Sequence, residues 1–403
     1  MKKIILSATV AAMALTTTAS ALEDIKVNGQ AKVWYETNKI DSRVGTADNE
    51  MFSKNNSSGE VVFKLGMTGK QGNVGFGATV YQTSSMGLEK TLVSGVRTAG
   101  TTGLTHADTN ASTANDDGEM YTGEMYITVP VGAKTLLKVG KQELDTPLAF
   151  TERWNATPNT FNAAVAINNS VENLTLIAAY IGQGARGEVV GTAYSPFNLG
   201  STSNYGIAAL YKNNGLAVNA WYYDLNSIAA AYWIDAGMTI SGINVKAYAA
   251  MIDPAASISS EDTKAYALSA STKVSGINLF AAGSRVSDQG AAPIANTATG
   301  GKKTKLPTAG VYTDGLYVAQ MGSKAIKLKA SGKLGTTGYA LQFIDNSNGK
   351  TATLETTEID LILSQKVGDV NFKAILMDRS FDQSALDATT GGQHVRVIAS
   401  VNF

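Results

Sequence analysis

HVRVIASVNF, residues 394–403, is the stretch that decides the fold class, and it ends the chain. Its residues alternate in character with a period of two, as a β-strand requires, because successive side chains of a strand point to opposite faces. One face is apolar and the other is mixed, so the stretch predicts a strand with one side in apolar surroundings. The apolar face consists of Val395, Val397, Ala399, Val401 and Phe403, and the mixed face of Arg396, Ile398, Ser400 and Asn402.

The aromatic end of this strand adds a second signal. An alternating last strand that ends in Phe resembles the assembly signal of bacterial outer-membrane β-barrels, in which the last strand closes against the first. The resemblance assigns that signal to Val397, Ala399, Val401 and Phe403 and implies the barrel assembly machinery as a partner. The last strand of a soluble β-sandwich would alternate in the same way, so other stretches have to decide between the two folds.

The N-terminus has the three parts of a secretory signal peptide. Two lysines follow the first methionine, residues 4–15 are apolar, and residues 19–21 (Ala-Ser-Ala) form a small-x-small cleavage site. The apolar run is too short for a transmembrane helix, which needs about 20 apolar residues. The sequence therefore predicts a signal peptide over residues 1–21 and one exported domain over residues 22–403.

Composition excludes several classes of function. The chain has 33 basic and 33 acidic residues, and removal of the two lysines with the signal peptide leaves 31 − 33 = −2. Such a balance argues against a nucleic-acid partner, which needs a basic surface. There is no cysteine, which excludes disulfide-stapled folds and thiolate chemistry. No later apolar run is long enough for a transmembrane helix, whereas a membrane β-barrel needs only alternation.

Eighteen alternating segments follow, and short and long connections take turns between them. In residues 243–252, for example, Ile243 and Val245 lie on one face and Asn244 and Lys246 on the other. Outer-membrane barrels have short periplasmic turns and long extracellular loops. We therefore predict an all-β fold, a transmembrane antiparallel up-and-down β-barrel of about 18 strands, with a water-filled lumen. The short turns are expected near residues 69–73, 130–134, 169–173, 212–215, 237–242, 274–276, 333–337 and 366–369.

A water-filled lumen makes the inward-facing charges the candidates for selectivity, because the charges that line a channel set its ion preference. The loop 143–160, with Asp145, Glu152 and Arg153, is expected to fold into the lumen as a constriction. The simpler alternative leaves the charges on the wall, away from the narrowest point. Parity along the strands places the following charges inward: Lys32, Glu36, Lys64, Glu124, Lys138, Lys246, Lys327, Lys329, Asp360, Lys373 and Arg396.

Motifs for catalysis are absent from the sequence, which contains no Gly-x-Ser-x-Gly, no His-Glu-x-x-His and no phosphate-binding loop. An outer-membrane hydrolase, the first alternative to a channel, would need His106 or His394 beside a nucleophile. The loops 83–118 and 287–322 are long and polar. They would suit a structural or adhesive surface barrel, the second alternative.

One loop carries clustered carboxylates, Asp108, Asp116, Asp117 and Glu119. Clustered carboxylates can bind Ca²⁺. A solvated surface loop explains the same residues and is the preferred interpretation. We therefore predict no cofactor and no metal site, with a loop-bound Ca²⁺ as the open alternative.

Three stretches resemble one family of channels. VNGQAKVWYETN (27–38) resembles the first strand of the epsilonproteobacterial, Campylobacter-type, major outer membrane porins, which are related to OprD-type porins. VGKQELDTPLAFTERWNATPNTFNAA (139–164) is similar to their Gly-Lys/Arg-Gln strand end and the Thr-Pro-Leu loop that follows it. YGIAALYKNNGLAVNAWYYDLNSIAAAYWIDAGM (205–238) is similar to their paired central hairpins with a Trp-Tyr-x-Asp corner.

The resemblance implies an eighteen-stranded, trimeric, water-filled channel. It also implies that Lys141, Asp145, Glu152 and Arg153 lie near the constriction. The family often has Arg where this chain has Lys32, so the solute preference stays open.

The predicted function is passive diffusion of ions and small hydrophilic solutes across the lipid of a bacterial outer membrane, with no enzymatic step. The alternative is a channel selective for small carboxylates or amino acids. Opposed rows of acidic and basic side chains would favour that alternative, and sequence parity alone does not place such rows across one gap.

Overall fold

The computed structural model describes most of the chain after the predicted signal peptide. The signal peptide, His106 and the four clustered carboxylates lie outside the described residues, so those predictions stay predictions. The described residues are 22–40, 50–88, 91–93, 120–184, 204–382 and 391–403.

Eighteen strands make up most of the described residues. Every strand predicted from alternation is present, and many extend further at one or both ends. No helix in this part of the chain is long and apolar enough to cross a membrane. Short 3₁₀ helices span Lys54–Asn56, Thr297–Thr299 and Ala352–Leu354. The strands are β1 (Glu23–Ile40), β2 (Ser57–Gln71), β3 (Val74–Ser84), β4 (Met120–Val131), β5 (Thr135–Gln142), β6 (Phe161–Asn168), β7 (Leu174–Gly184), β8 (Asn204–Asn213), β9 (Leu216–Asp224), β10 (Ala229–Ile240), β11 (Ile243–Pro254), β12 (Thr263–Val274), β13 (Ile277–Val286), β14 (Ser323–Leu334), β15 (Thr337–Asn348), β16 (Thr356–Val367), β17 (Val370–Phe381) and β18 (Gly392–Asn402).

These strands form one closed antiparallel sheet. Each strand pairs with its neighbours in sequence, and β18 pairs with β1 from Gln30 opposite Asn402 to Ile40 opposite Gly392. Closure leaves no strand edge, so the backbone polar groups of every strand find partners within the sheet. The predicted all-β, up-and-down barrel of about 18 strands is confirmed.

The outer face of the barrel is apolar. In β14 the outward Ile326 and Leu328 are 50% and 54% exposed, whereas Ala325 on the inner face is 2% exposed. Exposed Val, Ile, Leu, Phe and Tyr side chains recur on the outward positions of strands around the barrel. Soluble proteins rarely expose a continuous apolar surface of this extent, and lipid acyl chains are the surroundings in which a barrel keeps one.

The last strand closes the barrel with its aromatic end. A Cβ atom added to Gly29 in β1 would lie 2.1 Å from Cε2 of Phe403, so the ring of Phe403 occupies the space that a side chain at position 29 would need. The Gly29 N–H donates to the Phe403 carbonyl at 2.6 Å, and the Phe403 N–H donates back at 3.0 Å. The ring of Phe63 in β2 lies beside it, 5.8 Å between centroids. The alternating faces predicted for the last strand are confirmed, since Val397 pairs with the outward Tyr35 and Arg396 with the inward Glu36.

Short turns and long connections lie at opposite ends of the barrel. The turns after the even-numbered strands are short. Between β8 and β9, Asn214 and Gly215 have φ values of 48° and 82°, which Asn and Gly adopt at the least cost. The connections after the odd-numbered strands are mostly longer, and both ends of the barrel chain lie on the side of the short turns. This is the predicted asymmetry.

Two long connections fold into the barrel, and we call residues 143–160 the first inner loop and residues 287–322 the second inner loop. Their apolar side chains, such as Leu148 and Ile294, pack with inward side chains of strands from β6 to β13, such as Trp233. The hydrophobic core therefore lies inside the barrel. The inward path of the first inner loop agrees with the prediction. No inward path was predicted for the second inner loop, which was described as a long polar loop that would suit an adhesive barrel. It folds inward because its scattered apolar residues find partners inside the barrel.

Candidate functional site: the charged half of the lumen

The inward face of the barrel divides into two arcs of different chemistry. Strands β6 to β13, which we call the packed half, present apolar side chains such as Phe161 and Ile252 to the core. Strands β14 to β18 together with β1 to β5, which we call the charged half, carry most of the inward Lys, Arg, Asp and Glu side chains. Because β18 pairs with β1, the charged half is one continuous arc.

The first inner loop leaves the wall just after a glycine that no other residue could replace without strain. Gly140 in β5 has a φ of 129°, and a Cβ there would lie 2.2 Å from the carbonyl oxygen of Met125. Lys141 follows and pairs in register with Met125, whose side chain is exposed on the outer face. The register thus places Lys141 on the outer face, which departs from the position near the constriction that the family resemblance implies.

The first inner loop rests on the charged half. The Nζ atom of Lys32 in β1 donates to the carbonyl oxygen of Ala156 at 2.7 Å. Ala156 is fully buried in a small cluster with Trp34, Val62 and Tyr81 from the first three strands. The loop therefore contacts both halves of the wall, and the charge of Lys32 lies where loop and wall meet.

Glu152 and Arg153 are neighbours in the first inner loop with different surroundings. Glu152 is 5% exposed and accepts hydrogen bonds from Nε1 of Trp154 at 2.6 Å and from Nδ2 of Asn296 at 2.9 Å. Arg153 is exposed and forms an ion pair with Glu143 of the same loop. Glu152 thus holds the loop in shape, and Arg153 is the one of the two whose side chain is accessible to solutes.

The tip of the second inner loop is fixed to the wall by a carboxylate. Glu358 in β16 is fully buried and accepts backbone N–H groups from Val311 at 2.7 Å, Tyr312 at 3.1 Å and Thr313 at 2.5 Å. A Cβ atom on Gly310 would lie 2.5 Å from Oε1 of Glu358, so glycine lets the loop approach this closely. Charge-assisted hydrogen bonds of this kind are about twice as strong as neutral ones.

Two of the predicted inward charges neutralise each other at the closing seam. Glu36 of β1 and Arg396 of β18 are direct cross-strand partners and form a buried ion pair. The guanidinium group also donates through Nη2 to the hydroxyl of Tyr312 at 2.9 Å and lies over the ring of Trp34 at 4.8 Å. The pair therefore joins the seam of the barrel to the second inner loop.

Several lysines of the charged half form no ion pair in the part of the chain that the structure describes, and three of them are the most accessible from the lumen. Within the described residues, Lys64, Lys329 and Lys373 form no ion pair. Each lies on an inward strand position and is partly accessible. These three side chains therefore place positive charge along the lumen of the charged half.

The other predicted lumen charges have partners. Lys138 lies 3.8 Å from Glu124, and Lys246 lies 2.7 Å from Asp235 in the packed half. Lys327 donates to the carbonyl oxygen of Ala309 in the second inner loop, and Asp360 accepts from Nε2 of Gln342 at 2.5 Å. Lys138 and Lys246 are therefore balanced by a carboxylate. Lys327 donates to a neutral carbonyl oxygen and, like the three lysines, has no ion pair among the described residues.

A cavity of about 660 Å³ lies where the two inner loops meet. Charged side chains of both signs line it, including Glu143, Asp145 and Arg153 from the first inner loop and Lys305 from the second. Nζ of Lys305 lies 2.6 Å from Oδ1 of Asp145. The cavity is large enough for a small polar solute.

Asp314 lines this cavity and holds the second inner loop together through contacts within the loop. Its Oδ1 accepts the N–H groups of Thr304 and Gly315, both at 2.7 Å, and Lys303 lies 2.8 Å from its other oxygen. Burial raises the pKa of the Asp314 carboxyl, and the charge of Lys303 and the two N–H groups oppose this rise only in part. The group acts as an internal brace and not as a free lumen charge.

The site contains residues that the sequence did not single out. Asn296 joins the two inner loops and Tyr312 joins the second loop to the seam, and nothing in a single sequence marks either residue. Glu358 occupies an inward position by parity, and that signal could have made it a candidate. His394, the histidine of the hydrolase alternative that the structure describes, lies with its ring 5.1 Å from that of Tyr312. No group of His, Asp and Glu suited to a metal ion occurs among the described residues.

Comparison with known proteins shows a likeness of structure. No protein-family model matches the sequence, and no curated protein matches it. The crystal structure of Pseudomonas aeruginosa OccK3 (OpdO) superposes with a TM-score of 0.70 at 14% identity, over 96% of this chain and 97% of that chain. Pseudomonas aeruginosa OccK8 (OprE) gives 0.70 at 14% identity, over 94% and 98%. Acinetobacter baumannii OccAB1 gives 0.68 at 12% identity, over 95% and 97%. The fold of this chain therefore matches that of OprD/Occ-type structures.

Proposed function

We propose that this protein is an outer-membrane channel for the passive diffusion of ions and small hydrophilic solutes. The observation that carries the proposal is the division of the closed barrel: its outer face is apolar, and one half of its inner face is charged. An apolar exterior suits lipid, and a charged interior suits water and polar solutes. The likeness to OprD/Occ-type structures supports the same function.

The two inner loops supply the narrowing that such a channel needs. They fill the lumen in front of the packed half, so solutes pass between the loops and the charged half. Lys64, Lys329 and Lys373 then attract anions, and the mixed charges of the cavity at the loop junction orient a solute that carries both signs. This arrangement supports the narrower proposal of a channel selective for small carboxylates or amino acids.

The cellular setting belongs to the same proposal. Residues 1–21 direct export, the terminal strand is the signal for the barrel assembly machinery, and the mature chain assembles as a homotrimer in the bacterial outer membrane. The sequence motifs and the shared fold support a relation to OprD-type porins. The resemblance to the epsilonproteobacterial porins is part of the proposal. Passage involves no covalent step.

The test is the conductance of the purified protein in a planar lipid bilayer, with the reversal potential measured in a salt gradient. Stable ohmic steps are expected. The variant in which Lys64, Lys329 and Lys373 are all changed to Gln should shift the reversal potential towards cation preference, because three uncompensated positive charges leave the lumen.

A matched control changes three exposed lysines at the long-loop end of the barrel, Lys39, Lys324 and Lys350, to Gln. The shift should be smaller because charges outside the lumen are screened by salt over about 10 Å at 0.1 M. Absence of conductance steps after repeated insertion would contradict the channel. Equal shifts in the two triple variants would contradict the charged half as the pathway.

A further inference from the structure

We propose that Asn296 is the positioning residue that joins the two inner loops into one rigid body and thereby sets the width of the opening beside the charged half. This inference rests on the proposed channel function for its effect on conductance. The joint itself is a property of the fold and is testable without conductance.

Asn296 is fully buried, and every polar atom of its side chain bonds to the first inner loop or to its own loop. Oδ1 accepts the N–H of Phe150 at 3.3 Å, and also that of Ala298 at 3.3 Å. Nδ2 donates to the carbonyl oxygen of Phe150 at 2.8 Å and to Oε1 of Glu152 at 2.9 Å. One amide group therefore replaces the backbone pairing that a strand neighbour would give to Phe150.

Glu152 completes the joint from the side of the first inner loop. Its Oε1 accepts from Asn296 and from the hydroxyl of Thr299, and its Oε2 accepts from Trp154. Thr297 adds two more bonds, because its N–H and its hydroxyl both donate to the carbonyl oxygen of Leu148 at 2.8 Å. The residues that join the two loops in this contact are buried, unlike the exposed ion pair between Lys305 and Asp145 of the same two loops.

The position of the joint explains why it matters for the opening. The first inner loop is fixed to the wall at Lys32 through Ala156, and the second inner loop is fixed at Glu358 through its tip. Each loop thus has its own wall contact in the charged half, on β1 and on β16. The joint at Asn296 connects the two loops into a bridge. A bridge that is held at both ends and in the middle cannot change the opening without breaking contacts at the wall or at the joint.

A competing account is that each loop is held by its own packing against the packed half, with the contacts of Asn296 as a by-product. The two accounts differ in one measurable respect. If the joint couples the loops, a substitution in one loop must change the opening of backbone hydrogen bonds in the other. If the loops are independent, the change stays in the loop that carries the substitution.

The experiment is hydrogen exchange, followed by mass spectrometry, on the full-length folded protein in detergent micelles. Asn296→Asp places a carboxylate against Oε1 of Glu152 and removes the donor to both Phe150 and Glu152. Exchange in peptides from both inner loops should become at least tenfold faster, since about tenfold matches the loss of one buried hydrogen bond. Asn296→Ala should act in the same direction without adding a charge. Unchanged exchange in the first inner loop for both variants would overturn the proposal.

A charge-exchanged double variant tests the pairing directly. Glu152→Gln with Asn296→Asp again pairs one amide with one carboxylate across the joint, but the amide donor now lies at position 152. Hydrogen exchange in both loops should therefore return part of the way towards that of the natural protein. Asn214→Asp, the same chemical change in the exposed turn between β8 and β9, is the control and should leave both loops unchanged. A double variant that exchanges as fast as Asn296→Asp alone would overturn the pairing.

Conductance separates this inference from the proposed function. Asn296→Asp should give larger or noisier steps than the natural protein, in a barrel that still shifts its gel mobility on heating as a folded barrel does. If the natural protein gives no steps, the channel proposal fails while hydrogen exchange still decides the joint. If the loops prove coupled and the steps of the variant equal those of the natural protein, the assigned control of the opening is wrong.

Discussion

The packed half and the charged half of the wall follow the same alternating pattern and use their inward positions for opposite purposes. In β10 the inward side chains Ala231 and Trp233 are buried against the inner loops. In β17 the inward positions include Lys373 and Arg379. Both halves keep an apolar outer face. The difference therefore arises from what lies inside the barrel. The apolar side chains of the two inner loops pack on one half, whereas the other half meets the loops through polar contacts at β1, β16 and β18.

The comparison shows that one rule is incomplete for a barrel with inner loops. The rule states that apolar side chains face outward and polar side chains face the lumen. In β6, Phe161 is fully buried on the inner face and Asn162 is exposed on the outer face. Applied to β6 alone, the rule would place Asn162 on the inner face and Phe161 on the outer face. Its neighbours fix its true orientation, because a one-residue change of register would reverse every side chain of the strand.

The largest effect is expected at the seam within the charged half. Gly29→Leu puts a side chain where the ring of Phe403 lies. The ring must then leave its place against β1 and β2, so the fraction of protein that closes into a barrel should fall. The measurement is the fraction of protein whose mobility on a gel changes on heating, as it does for a closed barrel.

Ala31→Leu is the control for the seam, since residue 31 is the next outward position of the same strand and pairs with the outward Val401. It should fold normally, because the added side chain extends into lipid. A Gly29→Leu protein that folds as well as the control would show that the ring contact is not needed for closure.

An intermediate effect should separate the two halves by packing. Ile252→Ala removes a buried side chain from the core of the packed half and should lower the free energy of unfolding by about 2–5 kcal/mol. Ile398→Ala removes the same atoms from a half-buried position in the charged half and should cost about 1 kcal/mol. Urea unfolding of both variants in the same micelles gives the comparison. Equal losses would mean that the charged half is packed as tightly as the packed half.

The smallest effect is expected where the second inner loop touches the charged half. Tyr312→Phe removes the hydroxyl that accepts from Arg396 at 2.9 Å and keeps the ring. The free energy of local opening at the loop tip should therefore fall by about 1 kcal/mol. Hydrogen exchange of residues 306–318 measures it. Tyr339→Phe on the outer face is the control and should change nothing in this loop. A loss as large as that of Ile252→Ala would show that the seam contact, and not packing, holds the second inner loop in place.

Much of the fold was predictable because strand alternation is a local property. The alternating segments along the chain predicted the strand number, and the terminal segment 394–403 with the short turns predicted the barrel; both are confirmed. The inward path of the first inner loop was also predicted, and the structure buries Leu148 within the loop and Phe161 directly after it. The second inner loop was predicted as a loop, but its inward path was not, because Asn296 and its partner Phe150 are 146 positions apart in sequence.

The sequence predicted which charged side chains of the candidate site face the lumen, but not which of them form ion pairs. Parity placed Lys64, Glu36 and Arg396 inward, and the structure has all three there. Parity could not show that Glu36 and Arg396 neutralise each other while Lys64 has no ion pair among the described residues. Lys141 was assigned by resemblance to a strand end, and its side was fixed only by its register with Met125.

The sequence by itself determined the barrel. The alternation of residues within each strand sets its two faces, and a succession of such strands joined by alternating short and long connections predicts a closed sheet. The tertiary structure alone decided which half of the lumen is filled and which lysines keep an uncompensated charge. The physical reason is that burial and pairing depend on neighbours in space. Asn296, Glu152 and Glu358 become neighbours of the other loop and of the wall only after the barrel has closed around them.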